Sequence, residues 1–215
     1  MKNKTIMVLS MLLIGVLFSV STFAAETGAT ITNASVLSGT SSTSGSINIS
    51  AGQVQEVNLS SNSITDKWAG FFGSLSGGIS LNDGTNDFYT WSVTNFTGSV
   101  VYAATGAVSN WSSLSSVSYA NVPAYLKVAA SDNYTSTFNT EDTFDSPSRG
   151  SITSNSTTTL GGSSLQSFAL YADGENVWGA EAKNDVNAFD GSTVDYQLLV
   201  PAQTDTTYYF YMELS

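Results

Sequence analysis

The feature that most limits what this chain can fold into is its rhythm. From Ser46 onward, short apolar and aromatic runs recur every 8 to 15 residues, separated by Gly, Asn, Asp and Ser. No window sustains a 3.6-residue apolar stripe for three turns, which excludes long amphipathic helices and leaves brief, half-buried strands. The spacing predicts an all-β chain: an antiparallel β-sandwich of jelly-roll or Ig-like type with little helix. Strands are expected at Ser46–Ser50, Val54–Leu59, Trp68–Leu75, Gly78–Asn82, Phe88–Val93, Ser99–Ala104, Val117–Val122, Leu126–Ala130, Thr135–Asn139, Ser167–Tyr171, Val177–Ala182, Val194–Val200 and Thr207–Leu214.

Turn chemistry fits this pattern. Ile79 and Leu81 alternate with Ser, Asn82 to Asp87 supplies turn formers, and Phe88-Tyr-Thr-Trp91 starts a β-prone return, so Gly78–Val93 reads as one hairpin. Phe189-Asp-Gly-Ser192 is a second turn, leading into Val194–Val200, and Pro201 ends that strand or lies at its edge. The last run places Tyr208, Phe210, Met212 and Leu214 on one face and Tyr209, Tyr211 and Glu213 on the other. So apolar a strand would invite foreign pairing at an open edge, and is expected in the middle of a sheet. Ser148–Ser164, rich in Ser, Thr and Gly, reads as a long loop.

Lys2 and Lys4 precede an apolar run from Ile6 to Val20, and Thr22-Phe23-Ala24 offers small residues at the positions a signal peptidase reads. Residues 1–24 are expected to be a secretory signal peptide, with no membrane span in the mature chain and a secreted or cell-surface destination. Residues 25–45 read as a flexible Ser/Thr/Gly-rich leader and 46–215 as a single β-sandwich domain.

The chain has neither His nor Cys, which excludes disulfides, thiolate or imidazole metal sites and every Ser-His or Cys-His nucleophile. Four basic side chains face 17 acidic ones beyond Ala24, so nucleic acid, which requires clustered cations, is not an expected partner. Ser and Thr supply 56 of the 191 residues after Ala24, so hydroxyls rather than ions keep the surface wet. Asn-x-Ser/Thr sequons at Asn33, Asn48, Asn58, Asn95, Asn110, Asn133 and Asn155 are candidate N-glycosylation sites.

Several of these pieces, taken in order, resemble a group of archaeal secreted, cell-surface β-rich proteins. They are Trp68-Ala-Gly-Phe-Phe-Gly73, Gly78-Ile-Ser-Leu-Asn-Asp83 with Phe88-Tyr-Thr-Trp91, Ser99-Val-Val-Tyr-Ala103, Phe189-Asp-Gly191, Asp195-Tyr-Gln-Leu-Leu-Val-Pro201 and Thr207–Leu214. The resemblance implies an archaeal envelope or extracellular setting and a β-rich fold. It implies no activity.

Four chemistries can be weighed. Asp185, Asn187 and Asp190 approach the Asp-x-Asn-x-Asp-Gly calcium pattern with one residue too many and no closing Glu, which makes them the candidate metal ligands and calcium the candidate ion. Asp173, Glu175, Glu181, Asp185, Asp190 and Asp195 are dense enough to hold an acid pair for glycoside hydrolysis, with Glu175 and Glu181 the pair to test. Trp68 and Trp91 read as core, whereas Trp111, beside the Asn110 sequon, reads as exposed and is the candidate glycan-stacking residue. Finally, Thr27–Leu37 could complete the sheet of a neighbouring copy as a donor strand, against the simpler readings of a linker or the chain's own first strand. The leading expectation is a non-catalytic extracellular β-sandwich serving as a structural surface, matrix or filament component, with self-association or other envelope proteins as partners. The alternative is a carbohydrate-binding module, calcium-dependent or not, with polysaccharide as partner; an acid-pair hydrolase comes third.

Overall fold

The computed structural model describes residues 27–215 apart from 33, 44, 45, 47, 49, 52, 62 and 204. The expected signal peptide, Asn33 and part of the expected strand at Ser46–Ser50 lie outside the described residues. In chain order the strands are β1 (Thr27–Gly28), β2 (Trp68–Gly73), β3 (Gly77–Asn82), β4 (Asp87–Val93), β5 (Val100–Ala104), β6 (Ser115–Ser116), β7 (Thr140–Ser146), β8 (Gly150–Ser156), β9 (Phe168–Ala172), β10 (Glu175–Glu181), β11 (Val186–Asn187), β12 (Thr193–Val194), β13 (Tyr196–Pro201) and β14 (Tyr209–Glu213). The one α-helix among the described residues is a single turn, α1 (Tyr134–Thr137), accompanied by short 3-10 turns. The chain is all-β and antiparallel, as its rhythm predicts.

Val100-Val-Tyr-Ala-Ala104 is apolar at every position, and such a run suits a strand covered on both faces. All five residues are buried. β5 lies between β14 and β10, and β10 pairs in turn with β9, giving the central order β14-β5-β10-β9. Alternation sends Val101, Ala103, Ala169, Trp178 and Ala180 to one face and Val100, Tyr102, Leu170 and Val177 to the other. On the first face, three alanines leave room for the rings of Trp68, Phe138 and Trp178. Trp68 meets Trp178 edge-on at 6.0 Å, and Phe138 sits 5.5 Å from Trp68 and 5.3 Å from Trp178. That layer is completed by the β2–β13 pair and by the turns carrying Val122 and Leu126.

The second face is covered by the β7–β8 hairpin, which replaces the loop expected at Ser148–Ser164. Its single apolar cross-strand pair, Phe144 opposite Ile152, points inward, and its other inward positions, Ser146, Ser154 and Ser156, are buried hydroxyls. Ser154 donates to the Ala169 carbonyl at 2.5 Å, so these hydroxyls reach the interior with partners. The strands expected at Val117–Val122, Leu126–Ala130 and Thr135–Asn139 are instead 3-10 turns and α1. Pro123 stands at the head of one turn, and Asn133 caps α1 by accepting from the Ser136 amide at 2.8 Å. Val54–Leu59 forms no strand. Every described residue from Thr27 to Asp66 is exposed, and packing begins at Trp68 rather than Ser46.

β14 lies one place in from the edge of its sheet rather than at its middle, flanked outside only by the two residues of β1. Glu213, wholly buried on β14, accepts from the Tyr102 hydroxyl at 2.9 Å, the Ser146 hydroxyl at 2.9 Å and the Ser148 amide. A buried carboxylate is tolerable only with such donors, and here it ties the last strand to β5 and to the β7–β8 turn. Glu213→Ala would strand those donors in the interior and is expected to lower stability by about 3 kcal/mol or more. The urea midpoint reads this directly; a shift of less than about 0.5 kcal/mol would show the clasp to be dispensable.

Candidate functional site

The β3–β4 ribbon carries several exposed large apolar side chains on a regular element, Ile79, Leu81, Phe88, Tyr89 and Trp91 among them. Its register sets Ile79 opposite Trp91 and Leu81 opposite Tyr89, so these four side chains share one face, while Ser80 and Thr90 share the other. All four are exposed, Trp91 at 50% and Tyr89 at 57%, and their rings meet at 4.8 Å. Among the described residues the ribbon pairs with no other strand. Its base lies beside the end of β14, where a side chain added at Gly77 would meet Met212 and Leu214 at 3.4 Å.

At the ribbon's tip the oxygen-rich loop serves itself. Asp83 accepts from the amides of Thr85 at 2.9 Å and Asn86 at 2.7 Å, and Asn82 accepts from Gly84 at 3.1 Å. Those amides, Asn86 foremost, hold the Asp83 carboxyl below the usual range. A shallow depression there is lined by Leu81, Asn82, Asp83, Asn86, Asp87 and Phe88, which sets polar groups beside an aromatic face.

The residues singled out in the sequence lie elsewhere. Trp111 is 8% exposed, a correction to its expected role as a stacking platform. Asp173 accepts from the Ser109 amide and hydroxyl and from the Asn110 amide, which draws the loop inward and seats Trp111 4.9 Å from both Tyr102 and Tyr211. Trp91, expected in the core, is the exposed tryptophan; Trp68 and Trp178 are buried as alternation requires.

Asp185, Asn187 and Asp190 lie on and beside the short β11–β12 ladder. Asn187 pairs with Thr193 in the β11–β12 ladder, and Asp190 caps its own turn by accepting from the Ser192 amide at 3.0 Å and hydroxyl at 2.6 Å. Asp185 takes a positive φ at the loop's start, and its amide donates to Asp195. Among the described residues no three acidic side chains form a group able to hold a metal ion.

Glu175 and Glu181 stand at opposite ends of β10, six positions apart, which at ~3.3 Å per residue separates them by roughly 20 Å. A glycosidase pair needs roughly 5 to 10 Å, so these two cannot act together. Asp195, buried, accepts from the Leu75 amide at 2.6 Å and from the Asp185 amide at 3.1 Å, and thereby ties two loops together.

Of the sequons, Asn48, Asn58, Asn95, Asn110 and Asn155 are exposed and Asn133 is half-buried at the α1 cap. Comparison of the chain with family models, curated proteins and solved structures returned no match.

Iodide is expected to quench the fluorescence of Trp91 and spare Trp68, Trp111 and Trp178, so Trp91→Phe should abolish the quenchable fraction; persistent quenching in that variant would place another tryptophan outside. Burial, opposed by the Asp145 amide and reinforced by the Asp145 carboxylate, raises the pKa of Glu181. With the folded value above the unfolded one, its contribution favours folding at acid pH and is lost as pH rises through the folded pKa. Glu181→Gln keeps an acceptor for Asp145 and is expected to raise the urea midpoint at pH 7 but not at pH 4. An unchanged midpoint at pH 7 would contradict this.

Proposed function

We propose that this protein is a non-catalytic structural component of an extracellular surface, matrix or filament, with the archaeal envelope as the setting suggested by its sequence resemblance. The observation that carries the reading is how its chemistry and its exposed apolar surface are distributed. Of the acids singled out in the sequence, Asp173 caps the Trp111 loop, Asp190 caps its turn and Asp195 is a buried clasp, while Glu175 and Glu181 stand too far apart to act as a pair; Glu213 is a further buried clasp. Large apolar side chains stand exposed where no reaction needs them, on the ribbon and along the leader at Ile31, Leu37, Val54 and Leu59. Exposed apolar faces of this size suit contact with neighbouring molecules. The exposed sequons fit a glycosylated outer surface.

A second reading is favoured by one observation: Tyr89 and Trp91 lie exposed together, on the ribbon whose tip carries Asn82, Asp83, Asn86 and Asp87. Flat rings beside hydrogen-bonding side chains suit a sugar, so carbohydrate binding at the ribbon is the alternative.

Gold labelling of intact cells, with negative-stain images of the detached material, tests the first reading. Label on the outside and particles far larger than one chain are expected; label inside the cell, or monomers alone, would contradict it. A glycan array read with the intact protein and with Trp91→Ala tests the second: binding lost on substitution would transfer the function to the ribbon.

A further inference from the structure

We infer that β1 is an exchangeable strand, able to complete the β14 edge of a second copy of this chain in place of its own. The inference deepens the structural reading above and rests on it.

The acceptor edge and the donor are both visible. Outside β14, Thr27 lies opposite Met212 and Gly28 opposite Tyr211, the Ala29 amide donates to the Phe210 carbonyl at 2.9 Å, and the Thr27 hydroxyl approaches the Met212 carbonyl at 3.4 Å. Both residues of β1 are exposed, so the pairing rests on backbone hydrogen bonds and not on a side chain locked into the core. Such bonds are indifferent to which copy supplies the strand.

The 39 residues between β1 and β2 make exchange feasible. Every described residue from Ala29 to Asp66 is exposed, so none of these described residues anchors the connection by a buried side chain. Fully extended at ~3.3 Å per residue, it spans roughly 130 Å, ample to reach the β14 of an adjacent molecule. A long connection also lowers the effective concentration of β1 at its own edge, so a densely packed neighbour competes on similar terms.

Charge permits the approach as well. The chain carries a formal charge of −11, yet between Thr27 and Thr65 the sole charged residue is Glu56, so the leader can reach an acidic body with little repulsion. The donor and acceptor surfaces differ, which makes the contact head-to-tail; repeated, it closes a ring or propagates a filament. Left uncovered, the apolar strand β14 would be a pairing hazard; with β1 it becomes a specified joint.

The chain has no cysteine of its own, so the joint can be tested covalently. Thr27→Cys and Met212→Cys are made separately and together in the chain starting at residue 25, then oxidised with copper phenanthroline or bridged with a short bis-maleimide at high protein concentration. Exchange predicts a ladder of covalent multimers from the double variant and a covalent dimer from the mixed single variants, well above either single variant alone. An internally bridged monomer from the double variant, with no dimer in the mixture, would overturn it. Should Met212→Cys fail to fold, deletion of residues 26–39 provides a second route. A synthetic peptide of residues 25–40 should raise the melting temperature of the deleted chain, and no shift at saturating peptide would count against exchange. Large native particles that fail to cross-link would overturn exchange and leave the structural reading standing; monomeric native protein would remove both.

Discussion

β14 is the constraint on which the rest of the structure depends, because its two edges have opposite fates. Inward, it pairs with β5 along Tyr209–Glu213 and buries the Glu213 carboxylate among hydroxyl and amide donors from three segments. Outward, the strand paired with it among the described residues is the short, exposed β1. The first arrangement fixes the end of the chain to the middle of the fold; the second leaves a row of backbone groups whose partner is held by weak local contacts. One strand therefore joins the packed body to the part of the chain that does not pack.

The body and the unpacked segments use different chemistry. In the body, small residues on one face of the central sheet admit three large rings, and buried serine hydroxyls find carbonyl partners in the interior, as Ser154 does at Ala169. Acidic side chains act as fasteners there: Asp132 pairs with Lys67 at 2.8 Å, and its backbone carbonyl receives the Trp68 indole at 2.7 Å. In the leader the Thr65 hydroxyl donates to the same Asp132 at 2.8 Å, and in the ribbon Asp83 holds its own turn, yet these segments expose leucine, isoleucine, valine and aromatic side chains. A two-stranded ribbon with one apolar face is marginal by itself in water, and a third layer is what such a face ordinarily requires. On the structural reading proposed above, a neighbouring copy would supply that layer.

Much of the body was legible from the residues. Continuous runs such as Val100–Ala104 and alternating ones such as Gly78–Val93 marked β5 and the β3–β4 hairpin, because both patterns follow from strand geometry alone. The β7–β8 hairpin escaped notice because serine and threonine occupy its inward positions, and a hydroxyl that finds a carbonyl in the interior carries no apolar signature. The turns between Val117 and Phe138 were misread as strands although Val122 and Leu126, and Tyr134 and Phe138, are spaced four apart, with Asn133 as a capping signal. Trp68 was legible as core, but the sequence exchanges Trp91 and Trp111. Trp111 is drawn inward by Asp173, 62 residues away in sequence, and Trp91 is left outside because nothing in its own body covers the ribbon.

On the proposed structural reading, the leader and the ribbon are contact surfaces that become covered when copies assemble. Hydrogen–deuterium exchange, run on dilute monomer and on native assembled protein, tests this most directly. The account predicts that amides of residues 27–66 and of the β3–β4 ribbon gain strong protection on assembly while those of β5 and β10 stay unchanged. Equal exchange of the leader and ribbon in both states would contradict it.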